Sequence, residues 1–172
     1  MVEHPALLLR PWGASAGAAG SAQGGGGAAE GAAARRRDVV DPVAGQLLGF
    51  VRRPLRPFAW LMRQADEIYE TLDSSLLATL WRPWFVIRSW EIYDAENKRR
   101  GITLGHSVLD GAGHRLARLD ASARDAGRFV AADGKELATL HINANAETLL
   151  TFTGAVDPFT RMALLGAALS RA

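Results

Sequence analysis

The stretch Asp157-Pro158-Phe159-Thr160-Arg161-Met162-Ala163-Leu164-Leu165-Gly166-Ala167-Ala168-Leu169-Ser170-Arg171 decides the fold. It reads as one short helix. Asp157 supplies an N-cap oxygen, Pro158 takes a first helical position where its missing N–H costs nothing, and Met162 to Leu169 carry no charge on any face. A helix without a polar face needs burial all round. At about 1.5 Å per residue the segment spans roughly 20 Å, against the ~30 Å of hydrocarbon that a membrane-spanning helix must cross. A lumen inside the protein fits it better than a bilayer, with the helix expected over about residues 158–170.

Working back from the helix, the chain repeats a turn signal, an aspartate followed within a few residues by glycine or asparagine. Four copies stand out, beginning at Asp41 (through Gly45 and Gly49), Asp94 (through Asn97 and Gly101), Asp110 (through Gly111 and Gly113) and Asp133 (through Gly134). Asp and Asn bond their own backbone in turns and Gly accepts positive φ, so each copy reads as a β-hairpin tip. Between the tips lie candidate strands: Ala65 to Leu72, Ser75 to Trp81, Trp84 to Tyr93, Ile102 to Leu109, Arg115 to Leu119, Gly127 to Ala131, Glu136 to Ile142 and Glu147 to Phe152. The strand Trp84 to Tyr93 is apolar on both faces, as when a sheet closes over an internal element. The expected fold is mainly β, a closed antiparallel β-barrel around a central hydrophobic C-terminal helix.

Composition bounds the rest. The chain has 172 residues, 48% of them hydrophobic, which suits one core plus something extra. Residues 1–38 are dominated by Gly, Ala and Ser, with Gly24 to Gly27 in a row, and are expected to form a disordered tail before a barrel domain of residues 39–172. Leu7-Leu8-Leu9 is interrupted at once by Arg10 and Pro11 and no basic stretch precedes it, so a secretory signal is not expected and the default location is cytoplasmic. The chain has no cysteine, which excludes disulfides, a thiol nucleophile, a thiolate metal site and a palmitoyl anchor.

The net charge is +2, with the positive residues unevenly placed. Arg35-Arg36-Arg37 ends the tail, and Arg52, Arg53, Arg56 and Arg63 surround Pro57, Phe58, Trp60 and Leu61. Arginine mixed with aromatic residues suits an anionic phospholipid surface, where cations attract headgroups and Trp settles at the interface. Arg52, Arg53, Arg56, Trp60 and Arg63 are therefore the candidate membrane contacts, against the plainer reading of solvated loop and strand arginines. No zinc-finger, RNA-recognition or homeodomain pattern is present, and nucleic acid is not an expected partner.

The order Asp41-Pro42-x-x-Gly45-x-x-x-Gly49, then Trp90-Glu91-Ile92-Tyr93-Asp94-Ala95, Gly134-x-Glu136-Leu137-Ala138, Leu149-Leu150-x-Phe152 and Asp157-Pro158-Phe159 opening an apolar helix resembles the phospholipid scramblase-like branch of the tubby C-terminal superfamily. The resemblance runs roughly from Asp41 to Ala172. It implies a twelve-stranded antiparallel barrel closed around a hydrophobic helix, among relatives that bind or move phospholipids or recognise phosphoinositide headgroups. The chain departs from animal scramblase-like relatives in lacking their cysteine cluster, their proline-rich N-terminal region and an acidic calcium segment. No Asp-x-Asp-x-Asp-Gly spacing occurs, so calcium is not expected.

Catalytic patterns are equally sparse. His4, His106, His114 and His141 stand apart with no ligand spacing, Asp110, Asp120, Asp125 and Asp133 sit where an aspartate caps its own turn, and neither Gly-x-Ser-x-Gly nor a Gly-Lys phosphate loop exists. No enzyme activity, cofactor or metal is expected. The leading expectation is an intracellular barrel that binds a phospholipid surface peripherally. Its rivals are a protein-interaction or scaffold module, and a carrier of apolar small molecules that would need a cavity beside the helix. The buried-helix reading makes Leu165→Asp unable to fold, because a charge would stand unpaired in the interior. A soluble Leu165→Asp protein with a cooperative melt in circular dichroism would rule that reading out.

Overall fold

A computed structural model describes residues 4–11, 34–54, 64–71, 73–82, 89–123 and 125–171. Twelve strands form a closed barrel: β1 (Ala6–Leu9), β2 (Ala34–Val40), β3 (Leu47–Pro54), β4 (Gln64–Glu70), β5 (Leu76–Arg82), β6 (Ser89–Asp94), β7 (Arg99–Leu104), β8 (Ser107–Asp110), β9 (Arg115–Ala121), β10 (Ala126–Val130), β11 (Glu136–Ile142) and β12 (Thr148–Phe152). Each pairs antiparallel with its neighbours in the chain, and β1 closes the ring by lying between β12 and β2. Side chains alternate along each strand, so every second residue points inward. Leu7, Leu9, Val39, Val51, Ile68, Leu80, Ile92, Val108, Phe129, Leu140 and Leu150 are all buried to within 3% exposure and line the lumen.

The lumen is filled by α1 (Pro158–Leu169), within a residue of the span read from the sequence. Asp157 is its N-cap, accepting a hydrogen bond from the Thr160 amide at 2.9 Å, and Met162 to Leu169 are buried without interruption. Gly166 packs against the Leu80 side chain of β5. A Cβ there would stand 2.9 Å from Leu80 Cδ2, inside ordinary van der Waals contact.

Successive connections of an up-and-down barrel fall at alternate ends. All four aspartate turns read from the sequence therefore lie at one end, the end by which α1 enters. Asp41 Oδ1 accepts the Val43 and Ala44 amides, Asp94 Oδ1 the Lys98 amide, Asp110 Oδ1 the Ala112 and His114 amides, and Asp133 Oδ1 the Lys135 amide. These aspartates cap their own turns. The opposite mouth is bounded by the ends of β3 and β5 and the starts of β2, β4 and β6.

The structure corrects several sequence expectations. The barrel begins at Ala6 rather than residue 39, because Ala6–Leu9 and Ala34–Val40, the first assigned to the tail wholly and the second as far as Asp38, are its first two strands. The first is too short to show a period, and the second opens with three arginines that resemble a solvated charge run. In fact Leu7 and Leu9 point inward at 1% and 0% exposure, and Arg37 is buried among them at 1%. The remainder of the expected tail, residues 12–33, lies outside the described residues. Ile102 to Leu109 is a hairpin, β7 and β8, turned at Gly105, whose φ of 59° suits a residue without a Cβ. Leu47–Pro54 adds a strand that the sequence reading did not name. Of the expected strand Trp84 to Tyr93, the described part begins at Ser89 within β6 (Ser89–Asp94), where Trp90 and Ile92 share the inward face.

The turn carboxylates give the fold a definite acid response. Asp41, Asp94 and Asp110 are held below the ordinary carboxyl value of 3.8, first by the backbone N–H groups of their turns and further by the side chains of His4, Arg100 and His114. A carboxyl that ionises more readily in the folded chain stabilises it above the unfolded value, and that contribution is lost as pH falls through the depressed folded value. Thermal melts should be level from about pH 5 upward and fall steadily below about pH 4. Asp94→Ala with Asp110→Ala should lower the neutral-pH midpoint and flatten the acid slope. An unchanged slope in that variant would deny these turns the role.

Candidate functional site

The arginine-bearing mouth is where sequence and structure meet most informatively. Of the candidate contacts, Arg56, Trp60 and Arg63 lie outside the described residues. Arg52 and Arg53 are adjacent on β3 and so point to opposite faces of the sheet. Arg53 faces inward, where its Nε and Nη2 donate to the two oxygens of Asp66 at 2.6 Å each. Asp66 is 1% exposed, so this bidentate pair is an interior feature of the barrel mouth. Arg52 faces outward and forms an ion pair with Glu67, Nε to Oε2 at 3.2 Å. The two residues do not share one contact surface.

The register shows what does gather here. Arg35 stands opposite Arg53 and Arg36 opposite Arg52, while Arg37 follows opposite Val51. Directly opposed like charges destabilise a sheet unless something compensates them. Part of the compensation is visible. Asp66 takes Arg53, Glu67 takes Arg52, and Asp38 Oδ1 accepts from Arg36 Nε at 2.8 Å. With Arg82 at the end of β5, the described strand ends around this mouth carry six arginines against four carboxylates, Asp38, Asp66, Glu67 and Glu91, an excess of two positive charges.

Burial sharpens the electrostatics. Arg37 is pushed below the ordinary arginine value, first by loss of solvent and then by the Arg53 guanidinium, with Asp66 opposing both. On the outer face the Arg36 guanidinium lies 4.3 Å above the Phe50 ring, which stacks on Tyr69 with centroids 5.0 Å apart. Tyr69 donates its hydroxyl to Glu67 at 3.0 Å, and burial followed by that carboxylate raises its pKa. On this outer face the opposed pair Arg36 and Arg52 thus lies beside the stacked rings of Phe50 and Tyr69.

Sequence reasoning named Arg52 and Arg53 as candidates but not Arg37 and Asp66, which the structure sets beside Arg53. The available signal was alternation. Once residues 34–40 are a strand, Arg37 and Val39 must share a face, and Val39 cannot be outside. The histidines remain apart. His4 lies 3.1 Å from Asp41 and His114 lies 3.2 Å from Asp110, both at turns, while His106 Nδ1 is 3.2 Å from the Leu119 carbonyl. Among the described residues, no three His, Asp or Glu side chains converge as metal ligands, and no helix is long and apolar enough to cross a membrane.

The fold and this charged mouth define the class: a twelve-stranded antiparallel barrel plugged by its own C-terminal helix. No protein-family model matches the chain, and no curated protein matches its sequence. Among solved structures the chain is similar to the X-ray structure of a protein from Arabidopsis thaliana, AT5G01750. The match covers 96% of this chain and 91% of that one, at a TM-score of 0.57 and 12% sequence identity. At that identity the likeness is one of fold.

The opposed fates of the two adjacent arginines can be measured. Arg53→Ala leaves Asp66 buried without its bidentate partner and should cost about 3–5 kcal/mol. Arg52→Ala breaks a half-exposed pair and should cost roughly 0–1 kcal/mol. Urea denaturation of the two variants provides the comparison, and similar small losses in both would mean that Asp66 is solvated.

Proposed function

We propose that this protein is a non-enzymatic barrel that binds anionic phospholipid surfaces peripherally, with the arginine-bearing mouth of β2–β5 as its contact and the cytoplasm as its location. The observation that carries the proposal is the in-register opposition of Arg35 with Arg53 and Arg36 with Arg52, beside Arg37 and Arg82. Such a concentration of like charge is tolerated more easily when an external anion relieves it. The resemblance of the turn and core motifs to scramblase-like proteins supports the same ligand class. Each basic residue near an anionic leaflet contributes about 1 kcal/mol, so an excess of two would strengthen binding by roughly thirtyfold over a neutral membrane.

Contact of this kind is electrostatic and must weaken with salt. Co-flotation should carry the full-length protein with phosphatidylserine-containing vesicles at low salt, release it at high salt, and leave it unbound with phosphatidylcholine alone. Arg35→Gln with Arg36→Gln should reduce flotation on the anionic vesicles while the thermal midpoint stays near that of the parent. Flotation indifferent to salt and to both substitutions would overturn the proposal, as would no flotation at all.

A further inference from the structure

The opposite end of the barrel holds a second feature, independent of the arginine-bearing mouth. The first turn of α1 does not seal against the rim of β5 and β6. A cleft of about 250 Å³ remains there, walled by Leu77, Ile92, Tyr93, Phe159 and Met162, with Asp94 and Arg100 at its edge. It opens beside a wider depression of about 720 Å³ that includes Lys98, Arg99, Arg100 and Asp110, and the Phe159 ring borders both. Phe159 is held in place by the sheet beneath it. A Cβ at Gly101 would stand 2.6 Å from the Leu109 carbonyl oxygen, so the close approach of β8 requires glycine there, and the Phe159 ring lies over the same residue at ordinary contact distance, its Cζ 3.4 Å from that Cβ position.

The two halves differ in chemistry. The cleft is apolar and smaller than the usual 300–1,000 Å³ of small-molecule sites, a size for one alkyl chain rather than two or for a ring system. The depression carries three cations, and its carboxylates are already engaged. Asp94 accepts from the Lys98 amide and from Arg100 Nε, and Asp110 Oδ1 accepts from the Ala112 and His114 amides. Arg99 lies 3.9 Å from Glu91, while among the described residues no carboxylate pairs with the exposed Lys98 ammonium. An apolar slot thus opens onto an edge where Lys98, Arg99 and Arg100 outnumber Asp94 and Asp110.

We propose that this cleft binds a single-chain anionic amphiphile, a medium-chain alkyl carboxylate, with the chain against Phe159, Met162 and Ile92 and the carboxylate at Lys98 and Arg100. The site lies at the barrel end away from the phospholipid-binding mouth, so either can fail without the other. The slot supplies the apolar contact, and the cations choose the sign of the headgroup.

The test is isothermal titration of the full chain with decanoate below its micellar concentration, alongside decanol and decyltrimethylammonium. Decanoate should bind saturably at one per chain, decanol several-fold more weakly, and decyltrimethylammonium more weakly still. Phe159→Ala should weaken decanoate and decanol alike by at least several-fold. Lys98→Gln, on an exposed turn where folding is not at stake, should weaken decanoate and leave decanol unchanged. Equal binding of the cationic probe, multiple weak stoichiometries typical of adsorption, or decanoate binding indifferent to both substitutions would each overturn the proposal.

Discussion

Closure is the constraint on which everything else depends. A ring of twelve strands has no free sheet edge, but it encloses a lumen too wide for its own inward side chains to fill. The structure solves this with α1, whose uncharged run from Met162 to Leu169 would be a liability in any other position. Burial of each large aliphatic side chain contributes about 1.5–3 kcal/mol, and the helix presents such side chains to strands on several sides at once. Helix and barrel are therefore one core. The small residues on α1, Ala163, Gly166, Ala167 and Ala168, set how closely the strands can approach it.

The same closure dictates how charge is handled. Strand alternation sends half of every basic run indoors, and β2 and β3 each carry such a run at one mouth. Arg37 and Arg53 are admitted beside Asp66, a carboxylate whose position on β4 matches the inward row. Arg36 and Arg52 stay outside, supported by Phe50, Tyr69, Asp38 and Glu67. The carbonyl end of α1 is directed toward this mouth, and that is the sign of helix dipole that cations favour. The basic character of the mouth is consequently built into its walls rather than carried by loops alone.

Much of the fold was legible from local chemistry. Asp157-Pro158 marked the start of α1, the absence of charge after it implied full enclosure, and the aspartate turns lie where their spacing placed them. Local signals failed where the structure depends on distant partners. Ala6–Leu9 is a strand because β12 and β2 leave a gap for it, and four residues cannot announce that. Ile102 to Leu109 looked continuous because a two-residue turn at Gly105 and His106 leaves little mark between apolar runs. The charged mouth was half legible, since composition located the arginines but could not assign faces before β2 and β3 were known to be strands. The cleft at Phe159 was invisible, being assembled from residues near positions 77, 93, 100 and 159 that only the closed barrel brings together.

The position of β1 bears on the order in which this chain can become a protein. β1 hydrogen-bonds to β12, the Phe152 amide donates to the Pro5 carbonyl, and Arg161 on the first turn of α1 donates to the carbonyl of His4. The earliest strand is thus fastened to the last strand and to the helix that follows it. No partial ring can close during synthesis, and the lumen has no filler until all twelve strands have been made. Contacts of such long range slow folding and prolong the exposure of apolar strands. Closure of this barrel therefore waits on the meeting of Ala6–Leu9 with β12 and α1, and the risk of aggregation lasts until then.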